Sequence, residues 1–142
     1  MINESIIDAM VRMARDSMQK AHAPYSGRPV GACVLASDGT LYGGCSVENA
    51  SYGLSCCAER VAIFRAIADS KREFDAIAVV ADTSEPCVPC GACCQVMAEF
   101  KIRDVIMANT KGDIEIADLM DLAPCATGKV HNFRGPHAHD ED

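Results

Sequence analysis

Two short stretches, Cys57-Ala58-Glu59 and Pro89-Cys90-Gly91-Ala92-Cys93, constrain this chain more than any other part of it. Three thiols can hold one metal ion, and only a fold that brings these distant segments to one point can use them together. A structural zinc site closes its shell with four protein ligands, whereas a catalytic site leaves one position open for water. Three cysteines, with a carboxylate two residues from the first, therefore have the composition of a hydrolytic centre.

Both groups fall where helices are expected to begin. Ser55 is the expected N-cap of a helix carrying Val61, Ile63, Phe64 and Ile67, which puts Cys57 and Glu59 in its first turn. Pro89 stands just ahead of a second helix, expected from about Cys90 to Phe100, where Cys90 and Cys93 share a face. Helix N-termini present free N–H groups and a partial positive charge, which stabilise the thiolate form a metal needs. Three thiolates around Zn²⁺ leave one net negative charge, which blunts the acidification of a water. Two helix ends and the neighbouring Arg60 would restore part of that power.

The cysteine pattern also contains competitors. Cys56 adjoins Cys57, Cys94 adjoins Cys93, and Cys87 forms a Cys-x-x-Cys of its own with Cys90. Only Cys57 has a glutamate two residues on, and Cys87 belongs to the loop before the helix. The reading taken is Cys57, Cys90 and Cys93, with the others as packing or neighbouring thiols. A structural four-cysteine site would leave Glu59 without a role, and a Cys-x-x-Cys redox site would not need Cys57-Ala58-Glu59.

The remainder bounds the protein class. The chain has 142 residues, 49% apolar and 23% charged, enough for one packed domain. A net charge of -7 weighs against nucleic-acid binding. No apolar run approaches the roughly 20 residues needed to cross a bilayer, and the N-terminus lacks the pattern of a secretory signal. Nine cysteines, an odd number with adjacent pairs, suit metal binding in a reducing compartment better than a disulfide framework. A cytoplasmic protein without membrane or nucleic-acid partners is expected.

Apolar residues recur at helical spacing from about Asn3 to Ala21, with Asn3 as a cap. His22-Ala23-Pro24 breaks that helix. Val30 to Ala36 reads as a buried strand, Ser37-Asp38-Gly39-Thr40 as a hairpin turn, and Leu41 to Val47 as the partner strand. Ala76 to Ala81 and Asp104 to Asn109 read as strands, and Ile116 to Leu122 as a short helix. This order predicts an α/β fold, a three-layer α/β/α sandwich around a mixed central sheet. The domain spans residues 1–128, followed by a polar, His-rich tail over 129–142. The tail could hold a second metal, but a solvated end is the simpler reading.

With these residues in view, the chain resembles the small, homotetrameric, zinc-dependent cytidine deaminases. The shared pattern runs from about residue 5 to 125. It includes Ala23-Pro24-Tyr25-Ser26, Val30-Gly31-Ala32, Val47-Glu48-Asn49-Ala50-Ser51-Tyr52-Gly53, Cys57-Ala58-Glu59-Arg60, Val80-Ala81-Asp82-Thr83 and Pro89-Cys90-Gly91-Ala92-Cys93, followed by Gln95-Val96. The zinc pair is the arrangement of the zinc deaminases in general. The resemblance implies Zn²⁺ on Cys57, Cys90 and Cys93, with Glu59 moving a proton from water to the pyrimidine N3 and then to the leaving amine. It also implies that the Ala58 N–H holds the ring O2, and that Ser46, Glu48, Asn49, Ala50 and Arg28 line the substrate pocket. The default substrates are cytidine and 2′-deoxycytidine, and a homotetramer is expected.

Four positions depart from the family pattern. Arg28 stands where a phenylalanine stacks on the pyrimidine, Ser46 where an asparagine holds a sugar hydroxyl, and Cys94 where an arginine follows the last zinc cysteine. The C-terminal motif, here Leu122-Ala123-Pro124-Cys125-Ala126-Thr127, lacks its aromatic, for which Phe133 is a possible replacement. The lost hydrogen bond and the lost stack are each worth about 0.5–1.5 kcal/mol. Retained chemistry with altered recognition follows, and the alternative substrate is a modified aminopyrimidine, a blasticidin-like nucleoside or a free base. Arg28 could stack on a ring, pair with an anionic substrate, or neutralise Glu48 and close the sugar site. A non-catalytic zinc or thiol-redox module is the alternative of another class.

Overall fold

The computed structural model describes residues 2–126, so the tail, with Thr127, Phe133 and the His-rich segment, lies outside the described residues. Helix α1 runs over Glu4–Met18, with Asn3 capping it through a hydrogen bond from the Ile6 N–H at 2.9 Å. It ends short of the expected Ala21 because the His22 N–H donates to the Ser46 carbonyl instead of continuing the helix. Strands β1 (Val30–Ala36) and β2 (Leu41–Cys45) form the expected antiparallel hairpin. Helix α2 (Ala58–Ala68) leads to β3 (Phe74–Ala81), and α3 (Gly91–Glu99) leads to β4 (Asp104–Asn109).

The last segment differs from expectation. Ile114–Asp118 forms a strand, β5, and only Leu119–Leu122 is helical, as the single turn α4. The reason is local. Asn109 Oδ1 accepts from the Lys111 and Asp113 N–H groups, each at 3.0 Å, and Gly112 takes φ +97°. That tight turn returns the chain along β4, and Asp118 then caps α4 through the Met120 N–H.

The sheet order is β2-β1-β3-β4-β5, with β3 and β4 parallel and every other pair antiparallel. Alternate residues along each strand face opposite sides. Cys33, Leu35, Ala78 and Val80 pack against Met10 and Ala14 of α1. Val34, Ile77, Val79 and Val105 pack against Ile63 of α2 and Met97 of α3. One helix therefore covers one face and two cover the other, giving the three-layer sandwich with a mixed sheet.

Two glycines set the spacing between layers. A Cβ on Gly31 would lie 1.8 Å from the Ala14 carbonyl oxygen of α1. A Cβ on Gly44 would lie 2.4 Å from the Ala62 nitrogen and 2.5 Å from the Ala58 oxygen of α2. The sheet thus meets backbone, not side chains, at the start of the helix that carries Cys57 and Glu59. No helix among the described residues is long and apolar enough to cross a membrane.

Candidate metal centre and cleft

Both helices that carry the thiols begin on a cysteine. Cys57 is the N-cap of α2 and Cys90 the N-cap of α3, each with extended backbone and neither side chain capping its own helix. Ser55, expected as the α2 cap, lies two residues too early. Its hydroxyl instead accepts from the Asn49 N–H at 3.0 Å and braces the loop before the helix. The shift leaves both N-cap sulfurs free to turn towards each other. Cys93 enters from the first turn of α3, fully buried.

The sulfurs of Cys57, Cys90 and Cys93 all lie within 4.8 Å of one another, and Cys57 Sγ and Cys90 Sγ are 3.7 Å apart. Zinc–sulfur bonds of about 2.3 Å at tetrahedral angles put neighbouring sulfurs about 3.8 Å apart. The three thiols thus fit a single zinc ion, and among the described residues they are the one cluster of this kind. The competing cysteines stand elsewhere. Cys94 is buried in the core against the Pro89 carbonyl, while Cys56 and Cys87 lie on the cleft wall outside the cluster.

Charge around the thiols is uneven. The Arg60 guanidinium donates to Cys57 Sγ at 3.5 Å, and its buried Nε has no partner among the described residues. Hydrogen bonding from Cys93, with help from Arg60, holds the Cys57 thiol down to about 5. The same contact with Cys57, together with burial, pushes the Cys93 thiol up. Glu59 sits at 3% exposure, and burial lifts its carboxyl to about 7. A carboxyl poised there can both accept and return a proton near neutral pH.

Glu59, Cys57 and Cys90 open onto a cleft of about 270 Å³, walled by Arg28, Val30, Ser46, Glu48, Ser55 and Val88 among others. Five of the expected site residues therefore converge with Glu59: Cys57, Cys90, Arg28, Ser46 and Glu48. Buried Ala58 lies between Cys57 and Glu59 as the first residue of α2. Ser46 is 9% exposed, and its hydroxyl accepts from the Val30 N–H at 3.1 Å. Asn49 lines an adjoining hollow with Tyr25, Tyr52 and Glu48, and Ala50 is exposed on the bend beyond it. Within one chain neither lines the cleft that holds Glu59.

The cleft's far wall is laced together by main chain. Strand β2 ends at Cys45, short of the expected Val47, and the chain then bridges in two directions. Glu48 N–H donates to the His22 carbonyl at 2.8 Å, and Val47 and Cys56 exchange hydrogen bonds of 2.9 and 2.8 Å. Glu48 is thereby carried over the loop after α1. Its carboxylate accepts from the Tyr25 N–H at 3.0 Å, the Ser26 N–H at 3.1 Å and the Ser26 hydroxyl. Those donors, with the Ser26 hydroxyl the largest influence, hold the Glu48 carboxyl below its usual value. Ser26 Oγ also accepts from the Arg28 N–H at 3.0 Å. The suggested Arg28–Glu48 ion pair is not formed among the described residues. Glu48 is satisfied by its own loop, and the two ion pairs among the described residues join Lys71 to Asp38 and Arg103 to Asp118. Sequence reasoning missed Ser26 as the partner of Glu48. The contact spans 22 residues between two loops, and no spacing rule reports it.

Known proteins share these features. A family model described as the cytidine and deoxycytidylate deaminase zinc-binding region matches residues 4–109. A cytidine deaminase from Sporosarcina psychrophila is 46% identical over 125 residues, covering 87% of this chain and 92% of that protein. The crystal structure of a cytidine deaminase from Burkholderia pseudomallei superposes with a TM-score of 0.82 at 44% identity, covering 89% of this chain and all of that one. That of a cytidine deaminase from Mycobacterium tuberculosis gives 0.73 at 32% identity, over 85% of this chain and 96% of its own.

Proposed function

This chain belongs to the cytidine and deoxycytidylate deaminase family and is a hydrolytic deaminase, and we propose that its substrate is cytidine or 2′-deoxycytidine, converted to the uracil nucleoside with release of ammonia. The carrying observation is the meeting of three thiols at zinc-ligand spacing with a buried carboxyl on one cleft. The redox and non-catalytic zinc alternatives give way to the enzyme.

In this reading Cys57, Cys90 and Cys93 hold one Zn²⁺. When bound, the ion supplies the Lewis acidity that makes water a nucleophile at neutral pH. Glu59 would take one proton of that water and deliver it to the pyrimidine N3, then carry the second, from the hydroxyl newly bonded to C4, to the departing amine, so that the C4–N bond breaks, ammonia leaves and a C4 carbonyl with N3–H remains. Its burial favours this, because a carboxyl lifted to about 7 shuttles protons without a large penalty in either direction. The Ala58 N–H, in the first turn of α2 where no intrahelical acceptor is available, donates to the ring O2. Arg60 offsets the negative charge of the thiolates through Cys57. Glu48, kept ionised by its three donors, accepts from the sugar hydroxyls, and Ser46 donates its hydroxyl hydrogen beside it.

A homotetramer, a cytoplasmic location and a role in pyrimidine salvage belong to the same proposal. Exposed Tyr25, Tyr52, Leu54 and Val88, several of them beside the cleft, support assembly. Nine cysteines, free wherever described, support a reducing compartment.

Glu59→Gln tests the assignment. The variant keeps its zinc, measured by metal analysis, and loses ammonia release by about 10²-fold or more. A variant that turns cytidine over at the native rate would remove Glu59 from the chemistry.

A further inference from the structure

We propose that Arg28 is a specificity determinant, favouring an aminopyrimidine whose sugar carries an oxyanion over the neutral nucleoside; the proposal rests on the deaminase reading of the Glu59 cleft.

Arg28 is the cation on that cleft's wall that has no partner among the described residues. The other guanidinium near the site, that of Arg60, is directed at Cys57. Of the two wall carboxylates, Glu59 is buried and Glu48 already accepts three hydrogen bonds from Tyr25 and Ser26. Neither ion pair among the described residues involves Arg28, and no hydrogen bond of its side chain is formed there.

The position is fixed even though the side chain is not engaged. The Arg28 N–H donates to the same Ser26 hydroxyl that donates to Glu48, so one hydroxyl joins the backbone of Arg28 to the proposed sugar-binding carboxylate. An arginine anchored one hydroxyl away from the sugar site is placed to read a group on the sugar. Arg28 also lines a second, larger hollow of about 560 Å³ with Gln19, Asp82, Thr83 and Ser84. It therefore stands at the junction of the two concavities. The larger hollow offers the hydroxyls of Thr83 and Ser84 and the amide of Gln19 on the far side of Arg28. The one acid there, Asp82, accepts from the Thr110 hydroxyl at 2.7 Å and is not paired with Arg28. A planar guanidinium matches a carboxylate or phosphate through two parallel hydrogen bonds, a geometry that a neutral hydroxymethyl group cannot use.

The test compares kcat/KM for cytidine, cytidine 5′-monophosphate and the 5′-carboxylate analogue of cytidine, in the native enzyme, Arg28→Gln and Arg28→Lys. The native enzyme prefers at least one anion over cytidine by about tenfold at low ionic strength, the size of one charge-assisted contact at an exposed position. That ratio collapses towards one in Arg28→Gln, recovers in part in Arg28→Lys, and falls with added salt. Which anion is preferred tells phosphate from carboxylate. A native ratio at or below one, or a ratio untouched by Arg28→Gln, overturns the proposal while cytidine turnover leaves the deaminase reading standing. Failure of all three compounds to release ammonia overturns both.

Discussion

The guanidinium of Arg60 donates to the sulfur of Cys57 one helical turn before it, at 3.5 Å, and so couples the two ends of the first turn of α2. A cation in that position favours the thiolate over the thiol and spreads the charge of a three-sulfur shell.

Arg60→Gln removes that charge and keeps a side chain of similar reach. The Cys57 thiol titrates higher, and zinc affinity falls by about 10–100-fold, the usual effect of losing a partner of a metal ligand. Competition with a chromophoric chelator measures the affinity. Equal zinc retention in the two proteins would show that the contact is packing alone.

Gly44→Ala places a methyl against the backbone of Ala58 and Ala62, which cannot turn aside as a side chain can. The expected cost is about 1–3 kcal/mol of stability. Turnover falls as well, because the displaced segment is the start of α2, which bears Cys57 and Glu59. Gly53→Ala, with nothing within 4 Å of the added methyl, is the control. Denaturant unfolding of the pair decides the matter, and indistinguishable midpoints would refute the close contact.

Ser26→Ala addresses Glu48 and pH. The folded carboxyl of Glu48 titrates below its ordinary value of 4.5, with the Ser26 hydroxyl as the largest cause. A group depressed on folding contributes stability above its ordinary value and loses it as the pH drops through the lowered one. Without the hydroxyl, the Glu48 titration moves up towards 4.5, and the acid loss of the clasp on Tyr25 and Ser26 begins at higher pH. Carboxyl carbon shifts in NMR follow this directly. An unmoved midpoint would assign the depression to the backbone donors instead.

Asn109→Ala should loosen the second ligand loop. Buried Asn109 donates to the Ser84 carbonyl at 3.2 Å and to Asp113 at 2.8 Å, tying the segment that leads to Cys90 to the end of β4. Leaving these partners unmet costs about 1–3 kcal/mol. Faster zinc release by the variant, followed by stopped-flow, is the expected signature. Native release kinetics would uncouple that turn from the metal loop.

The parts legible in the sequence were those set by short-range spacing. Asn3 as cap, the turn before Leu41, and the grouping of Cys57, Glu59, Cys90 and Cys93 all depend on residues a few positions apart or on helix starts. The expected helix over Ile116 to Leu122 is half strand: Ile114–Asp118 pairs with β4, and only Leu119–Leu122 is helical. The local cue is the Asn109–Gly112 turn, which returns the chain antiparallel to β4. Ser55 has the residue type of a cap, yet its hydroxyl accepts from the Asn49 N–H, and the cap position of α2 belongs to Cys57. The clasp of Ser26 on Glu48 and the place of Arg28 between two hollows arise from loops brought together by the sheet, and no local pattern encodes them.

Cys57 and Cys90 each cap the helix of a different connection between strands, and neither lies in the sheet. An ion gripped by both would behave as a rivet between two arches standing on a finished floor. Strip it out with a chelator, and the floor stays intact while the arches lose their mutual alignment. Emptying and refilling the centre would then be a reversible change of aim, achieved without refolding the protein.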